Sequence, residues 1–120
     1  MNAGEINPSR INLSISTRNR SGFMIKHIVM FKLKEKTPDN LKAMASALNG
    51  MKGQIETLRF LEVGEDFKGS DRSFDLVLIT HFEDRQGLEA YAAHRVHQPV
   101  IQLAKSLCSH IAAVDYEINE

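Results

Sequence analysis

Three protonatable side chains recur at every third position in the segment Tyr91-Ala-Ala-His94-Arg-Val-His97. An imidazole exchanges a proton near neutral pH, and a phenol donates a hydrogen bond to an oxyanion. A fourth group of this kind, His27, stands inside an apolar segment near the start of the chain. If the two segments meet in the fold, they place a polar patch in an apolar pocket, which is the usual form of a small-molecule site.

These side chains suggest a division of catalytic labour. We interpret His97 as a general base that removes a proton next to a carbonyl, and Tyr91 as the donor to the developing enolate oxygen. His27 shares a strand face with Val29 and Phe31, so we expect all three to contact the substrate. Purely structural roles stay open: His97 can brace the following turn, and Tyr91 and His27 can be hydrogen-bonded core residues.

The histidine spacing is a weak signal for a metal. His94 and His97 supply two imidazoles, fewer than the three or four protein ligands that zinc usually takes, and His27 completes a trio only if the fold brings it close. The chain has no Walker motif, no dinucleotide glycine motif and no zinc-finger cysteine pattern. We therefore expect no metal and no cofactor, and we expect His94 to contact the substrate.

The elements that position these residues follow the order βαββαβ. Alternating apolar residues predict strands over 24–34, 55–63, 74–82 and 111–118. Thr37-Pro38 and Asp84 begin the predicted helices, and Pro99 opens an extra helical segment before the last strand. This order predicts an α+β, ferredoxin-like fold, in which helices cover one face of an antiparallel sheet.

The predicted strands carry apolar residues on both faces, although the helices of such a fold cover one face only. Exposing Val29, Phe31 and their neighbours to water would cost about 25 cal/mol per Å² of apolar surface. A second copy laid sheet to sheet removes that cost. We therefore expect a homodimer through the open sheet face, closed into a dimeric α/β barrel.

The bulk composition bounds the class of protein. The 120 residues suffice for one domain, and 15 basic against 15 acidic residues argue against nucleic-acid binding. No apolar run approaches the roughly 20 residues that span a bilayer, so we expect a soluble protein with no membrane partner. The single cysteine, Cys108, fits a reducing compartment, and we expect a cytoplasmic location.

The first part of the chain differs in composition from the rest. Residues 1–22 are rich in Asn, Ser and Arg and contain one acid, Glu5. We expect a disordered N-terminal extension here, with a transit peptide as the alternative, and a single folded domain over 23–120.

The sequence resembles a known family at three places. The segment Met-Ile-Lys-His27-Ile-Val-Met-Phe-Lys, the spacing Tyr91-x-x-His94-x-x-His97 and the terminal Val114-Asp115-Tyr116 are similar to the stress-responsive dimeric α/β-barrel family, often called Dabb, over residues 24–118. The resemblance implies a ferredoxin-like protomer and a barrel formed between two subunits.

The resemblance also implies a chemistry. In the plant polyketide cyclase of this family, olivetolic acid cyclase, the catalytic Tyr and His match Tyr91 and His97, and the first-strand His matches His27. That enzyme closes a linear poly-β-ketone by aldol chemistry without a cofactor. Arg95 departs from the pattern, because proline is frequent at this position, and this puts transfer of the substrate in doubt.

Three functions fit these observations. The first is a small cofactor-free enzyme or carrier that binds a hydrophobic carbonyl compound and performs cyclase-type or lyase-type acid–base chemistry. The second is a non-catalytic, stress-associated dimer. The third is a monooxygenase of the antibiotic-biosynthesis type, which rests on fold analogy alone. A pocket that joins His27, Tyr91 and His97 favours the first, and a fully packed interior favours the second.

Overall fold

The computed structural model describes residues 23–119, and the expectation of a disordered extension over 1–22 lies outside this part of the chain. The elements are β1 (Phe23–Leu33), α1 (Pro38–Asn49), β2 (Phe60–Glu65), β3 (Leu76–Phe82), α2 (Arg85–Ala93), α3 (His97–Leu107) and β4 (Cys108–Asn119). The strands form one antiparallel sheet in the order β2-β3-β1-β4. The predicted ferredoxin-like α+β fold, including the extra helical segment, is confirmed.

Side-chain caps fix where the first two helices begin. The Thr37 hydroxyl accepts a hydrogen bond from the Asn40 amide at 3.1 Å, and Pro38 follows as the first helical residue. The Asp84 carboxylate accepts from the Gly87 amide at 2.7 Å at the start of α2. Both helices therefore start where the sequence predicts, so the position of Tyr91 on α2 is set by a local signal.

The predicted strand over 55–63 is wrong in its first half. Only Phe60–Glu65 forms a strand, and the Leu58 amide donates to the Ile55 carbonyl at 3.1 Å in a turn. Ile55 is nevertheless buried and Leu58 packs against the core. Residues at this spacing can face the core from a turn as well as from a strand, so the alternation of apolar residues alone does not distinguish the two.

A buried carboxylate replaces part of the sheet ladder near the end of β1. The pairing between β1 and β4 shifts register between Lys32 and Leu33, and the Leu33 amide donates to Asp75 Oδ2 at 2.8 Å. The Asp75 amide donates in turn to the Phe31 carbonyl at 2.8 Å. Asp75 therefore satisfies a backbone donor that the strand ladder leaves unpaired.

The helices cover the face of β1 that carries His27, Val29 and Phe31. Val29 and Phe31 are buried in the core, together with Leu48 of α1 and Val100 of α3. The expectation that Val29 and Phe31 belong to the face left open is therefore wrong. Because both faces of β1 are partly apolar, alternation does not tell which one the helices cover.

The opposite sheet face carries its own apolar side chains. Register pairs Ile28 with Ile79 and Val114, and Met30 with Val77, so all five lie on the face without helices. Met30 is 40% and Val114 is 53% exposed. The described chain thus has an apolar face that its own helices leave uncovered, although its residues are not the ones the sequence suggested. No helix within 23–119 has the length and apolar character needed to cross a bilayer.

Candidate functional site

A cavity of about 240 Å³ lies between the sheet and the helices of one protomer. Its lining is mostly apolar and includes His27, Val29 and Phe31 of β1, Tyr91 of α2, His97 of α3, and Leu48, Leu78, Val100, Ile101, Ala104, Lys105 and Ile111. All of the lining residues come from one chain, on the side of the sheet that the helices cover, so the chamber does not lie on the open sheet face where the sequence suggested it. Larger depressions, beside the β2–β3 connection and between α2 and β4, contain no histidine.

Tyr91 stands at the centre of a group of rings. Its ring lies 4.4 Å from the ring of His97, 5.0 Å from that of Phe82 and 5.8 Å from that of His27, measured between centroids. The segment and the first strand thus meet, as the spacing of the protonatable residues suggested. Of the four protonatable residues that stand out in the sequence, three come together at the cavity.

The Tyr91 hydroxyl is buried and has no hydrogen-bond partner among the residues that the structure describes. Burial raises the pKa of the Tyr91 phenol well above its ordinary range, so the group stays protonated at neutral pH. A buried hydroxyl without a partner costs about 1–3 kcal/mol. The side chain is therefore a buried hydrogen-bond donor without an acceptor in the described part of the chain.

His97 presents the complementary group. Its Nδ1 donates to the Ala92 carbonyl at 3.1 Å, which leaves Nε2 as the nitrogen with a lone pair in the neutral ring. Burial lowers the pKa of His97, and the nearby His27 and His94 act in the same direction against the opposing effect of the Ala92 carbonyl. The imidazole is therefore neutral at neutral pH, with its orientation fixed by the backbone.

His27 is held by a partner that the sequence analysis did not single out as a functional residue. Its Nδ1 donates to the Asp115 carboxylate of β4, which stands directly opposite in the strand register. The carboxylate fixes the ring orientation and leaves Nε2 as the remaining nitrogen. The sequence does give an indication of this role: Asp115 is an acid that shares a strand face with Ala113 in an otherwise apolar stretch.

His94 does not line the cavity, although it was expected to contact the substrate. Its Nδ1 accepts from the Val96 amide at 3.1 Å, so Nε2 carries the proton and donates to Glu56 at 3.2 Å. Both nitrogens are thus occupied in bracing the turn between α2 and α3. Within residues 23–119, no group of three His, Cys, Asp or Glu side chains is placed to hold a metal ion.

The fold and the cavity together define a class of protein: a ferredoxin-like α+β domain with an apolar chamber between its sheet and its helices. Residues 25–118 match the family model described as the stress responsive A/B barrel domain, so the chain belongs to that family. An uncharacterised protein of Streptomyces coelicolor is 30% identical over 97 residues, covering 78% of this chain and 99% of the relative.

Solved structures show the same architecture. A dimeric ferredoxin-like protein of unknown function from Bacteroides fragilis superposes with a TM-score of 0.70 at 26% identity, covering 79% of this chain and 96% of the other. The hydroxynitrile lyase of Passiflora edulis superposes with a TM-score of 0.71 at 16% identity, covering 81% and 94%. At that identity the lyase likeness concerns the fold alone.

Proposed function

We propose that this protein binds a small hydrophobic carbonyl compound in the cavity and moves a proton at the carbon next to the carbonyl, without a cofactor. The observation that carries this proposal is the pairing of Tyr91 with His97. A buried O–H without an acceptor and an imidazole with a free lone pair stand on rings 4.4 Å apart in an apolar chamber. A carbonyl compound satisfies both groups at once.

The two groups act on different atoms of the ligand. The Tyr91 hydroxyl donates to the carbonyl oxygen, which gains negative charge as the enolate forms. His97 Nε2 takes the proton from the adjacent carbon. The step requires a protonated phenol and a neutral imidazole. Burial favours both, because it raises the pKa of Tyr91 and lowers the pKa of His97. The resulting enolate carbon attacks a second carbonyl in a cyclase-type reaction, and the alkoxide formed there takes the proton back from His97 Nε2. In the reverse, lyase-type reaction His97 removes the hydroxyl proton, the carbon–carbon bond breaks, and the enolate released takes up that proton.

His27 completes the site as an orienting group. Its ring faces the Tyr91 ring edge-on at 5.8 Å, and Asp115 holds the ring from the other side. The hydroxynitrile lyase of Passiflora edulis shares this fold, which supports the view that the scaffold accommodates acid–base chemistry at carbon. We assign Asp115 the role of a positioning residue, since it acts through His27.

Hydrogen–deuterium exchange at the carbon next to a ligand carbonyl tests the proposal. Aliphatic and aromatic methyl ketones are first screened for binding by thermal shift, and exchange of the binders in D₂O is then followed by NMR. We expect His97→Ala to slow the exchange by about 10²–10⁴-fold. His110→Ala is the matched control, because His110 is an exposed histidine on β4 outside the cavity.

The result distinguishes the competing functions. Exchange that His97→Ala leaves unchanged removes the base assignment. Binding without exchange identifies a carrier, and the absence of any binding favours the non-catalytic dimer. The cavity itself favours an enzyme or a carrier, because a purely structural dimer needs no chamber between its sheet and helices.

We also propose that the chain forms a homodimer through the open sheet face. Met30, Val114 and Tyr116 expose apolar surface there, and the similar Bacteroides fragilis protein is dimeric. Replacing both Met30 and Val114 with lysine should convert a sedimenting dimer into a monomer at micromolar concentration. Ala43→Lys on the exposed side of α1 is the control. A wild-type monomer at that concentration contradicts the proposal.

A further inference from the structure

The cavity has two chemically different ends. The exposed Lys105 lines it together with the two histidines, and it is the one lysine or arginine in the lining. Lys105 lies about two turns beyond His97 on α3, a separation of ~12 Å at 1.5 Å per residue. Lys105 therefore reaches the cavity from a different turn of α3 than the base does.

The contacts of β1 place the two ends of the cavity in the same order as those of α3 do. At one end the rings of His27 of β1 and His97 of α3 both lie beside that of Tyr91, at 5.8 and 4.4 Å, and at the other end the Lys34 amide donates to the Leu107 carbonyl at 2.8 Å. β1 and α3 therefore run side by side in the same direction.

Lys105 has no acidic partner within residues 23–119. None of the described carboxylates forms an ion pair with Lys105, whereas Asp75, the nearby buried acid, pairs with Lys36 at 3.7 Å and accepts from the Leu33 amide. The backbone contact with Leu107 places Lys34, a second exposed lysine, beside the end of α3. Of these two lysines Lys105 lines the cavity, so an anionic group at this end would meet Lys105.

We infer that the ligand is an amphiphilic acid, with its reacting carbonyl at the histidine end and a carboxylate at the Lys105 end, separated by an apolar body of ~12 Å. This inference rests on the proposed function, since it assumes that a carbonyl compound occupies the cavity. The apolar body contacts Val29, Val100 and Ala104 in between. Lys105 is then a specificity-determining residue that selects acids over neutral carbonyl compounds of the same length.

The test compares a straight-chain keto acid of this length with its methyl ester by isothermal titration calorimetry. We expect the acid to bind the wild-type protein about tenfold more tightly than the ester. Lys105→Met should remove this preference by weakening binding of the acid alone, and Lys105→Glu should reverse it. Lys42→Met, which removes an exposed lysine of α1 outside the cavity, should preserve the preference.

Binding of the ester distinguishes a role of Lys105 in ligand recognition from a role in the stability of α3. A lysine in the last turn of a helix also interacts favourably with the helix dipole, and losing that interaction would weaken acid and ester binding equally. Equal binding of acid and ester to the wild-type protein overturns the inference and leaves the proposed function standing. If the acid, the ester and the neutral ketones all fail to bind, both this inference and the proposed function are overturned.

Discussion

Replacing Tyr91 with phenylalanine should make this protein more stable. The hydroxyl is buried and has no acceptor within residues 23–119, and such a group costs about 1–3 kcal/mol. Phenylalanine removes it and keeps the ring contacts with Phe82 at 5.0 Å and His97 at 4.4 Å. We therefore expect Tyr91→Phe to raise the free energy of unfolding by about 1–2 kcal/mol.

Urea denaturation measures this change. The midpoint should rise while the slope stays constant, because the substitution changes stability and not the surface exposed on unfolding. The melting temperature should rise by about 4–8 °C for each kcal/mol in a domain of this size, at one fixed protein concentration. Ser46→Ala is the control: it removes an exposed hydroxyl from α1, away from the cavity, and should change stability by about 0.5 kcal/mol or less.

The same variant should lose function as it gains stability. Without the donor, a ketone ligand loses its hydrogen bond, and binding should weaken by about tenfold. If Tyr91→Phe instead lowers the free energy of unfolding by about 1 kcal/mol or more, the hydroxyl must already have a hydrogen-bond partner in the folded protein. The assignment of Tyr91 as the donor to the ligand would then fall.

Three further predictions concern His97, Asp115 and Asp75. Because burial places the folded-state pKa of His97 below 6.5, the unfolded chain takes up the proton first, and stability should fall as the pH drops below that value. His97→Gln lacks this contribution, so urea midpoints of the two proteins should follow different pH profiles below pH 6.5, and parallel profiles would contradict the burial argument. Asp115→Asn should lower turnover by about 10–100-fold through misplacement of His27, with little change in KM; unchanged turnover would remove the positioning role. Asp75→Ala should lower the unfolding free energy by about 2 kcal/mol, because it leaves the buried Leu33 amide unpaired, and a neutral result in urea denaturation would contradict that account.

Local signals in the sequence were sufficient for the order of the elements. Thr37 and Asp84 cap helices through side-chain bonds to amides three residues on, and such contacts are readable from the sequence itself. The meeting of His27 with Tyr91 followed from placing the strand and the second helix in a known arrangement. These features depend on neighbours in the chain or on the fold class.

Contacts between residues far apart in the chain could not be predicted from the sequence in the same way. Asp115 and His27 are 88 residues apart, and Asp75 and Leu33 are 42 apart, so the contacts exist only after the strands have taken their register. The position of the cavity depends on which face of β1 the helices cover. With apolar residues on both faces, this is decided by packing of the whole domain, which is why Val29 and Phe31 were placed on the wrong side.

One helix contributes His97, Val100, Ile101, Ala104 and Lys105 to the chamber, whereas the uncovered sheet face draws on β1, β3 and β4. The proposed chemistry and the proposed assembly therefore rely on separate sets of side chains. Exchanging residues 97–105 of α3 between relatives should transfer ligand preference without changing the open sheet face. A scaffold divided in this way can acquire new substrates by changing a single short segment.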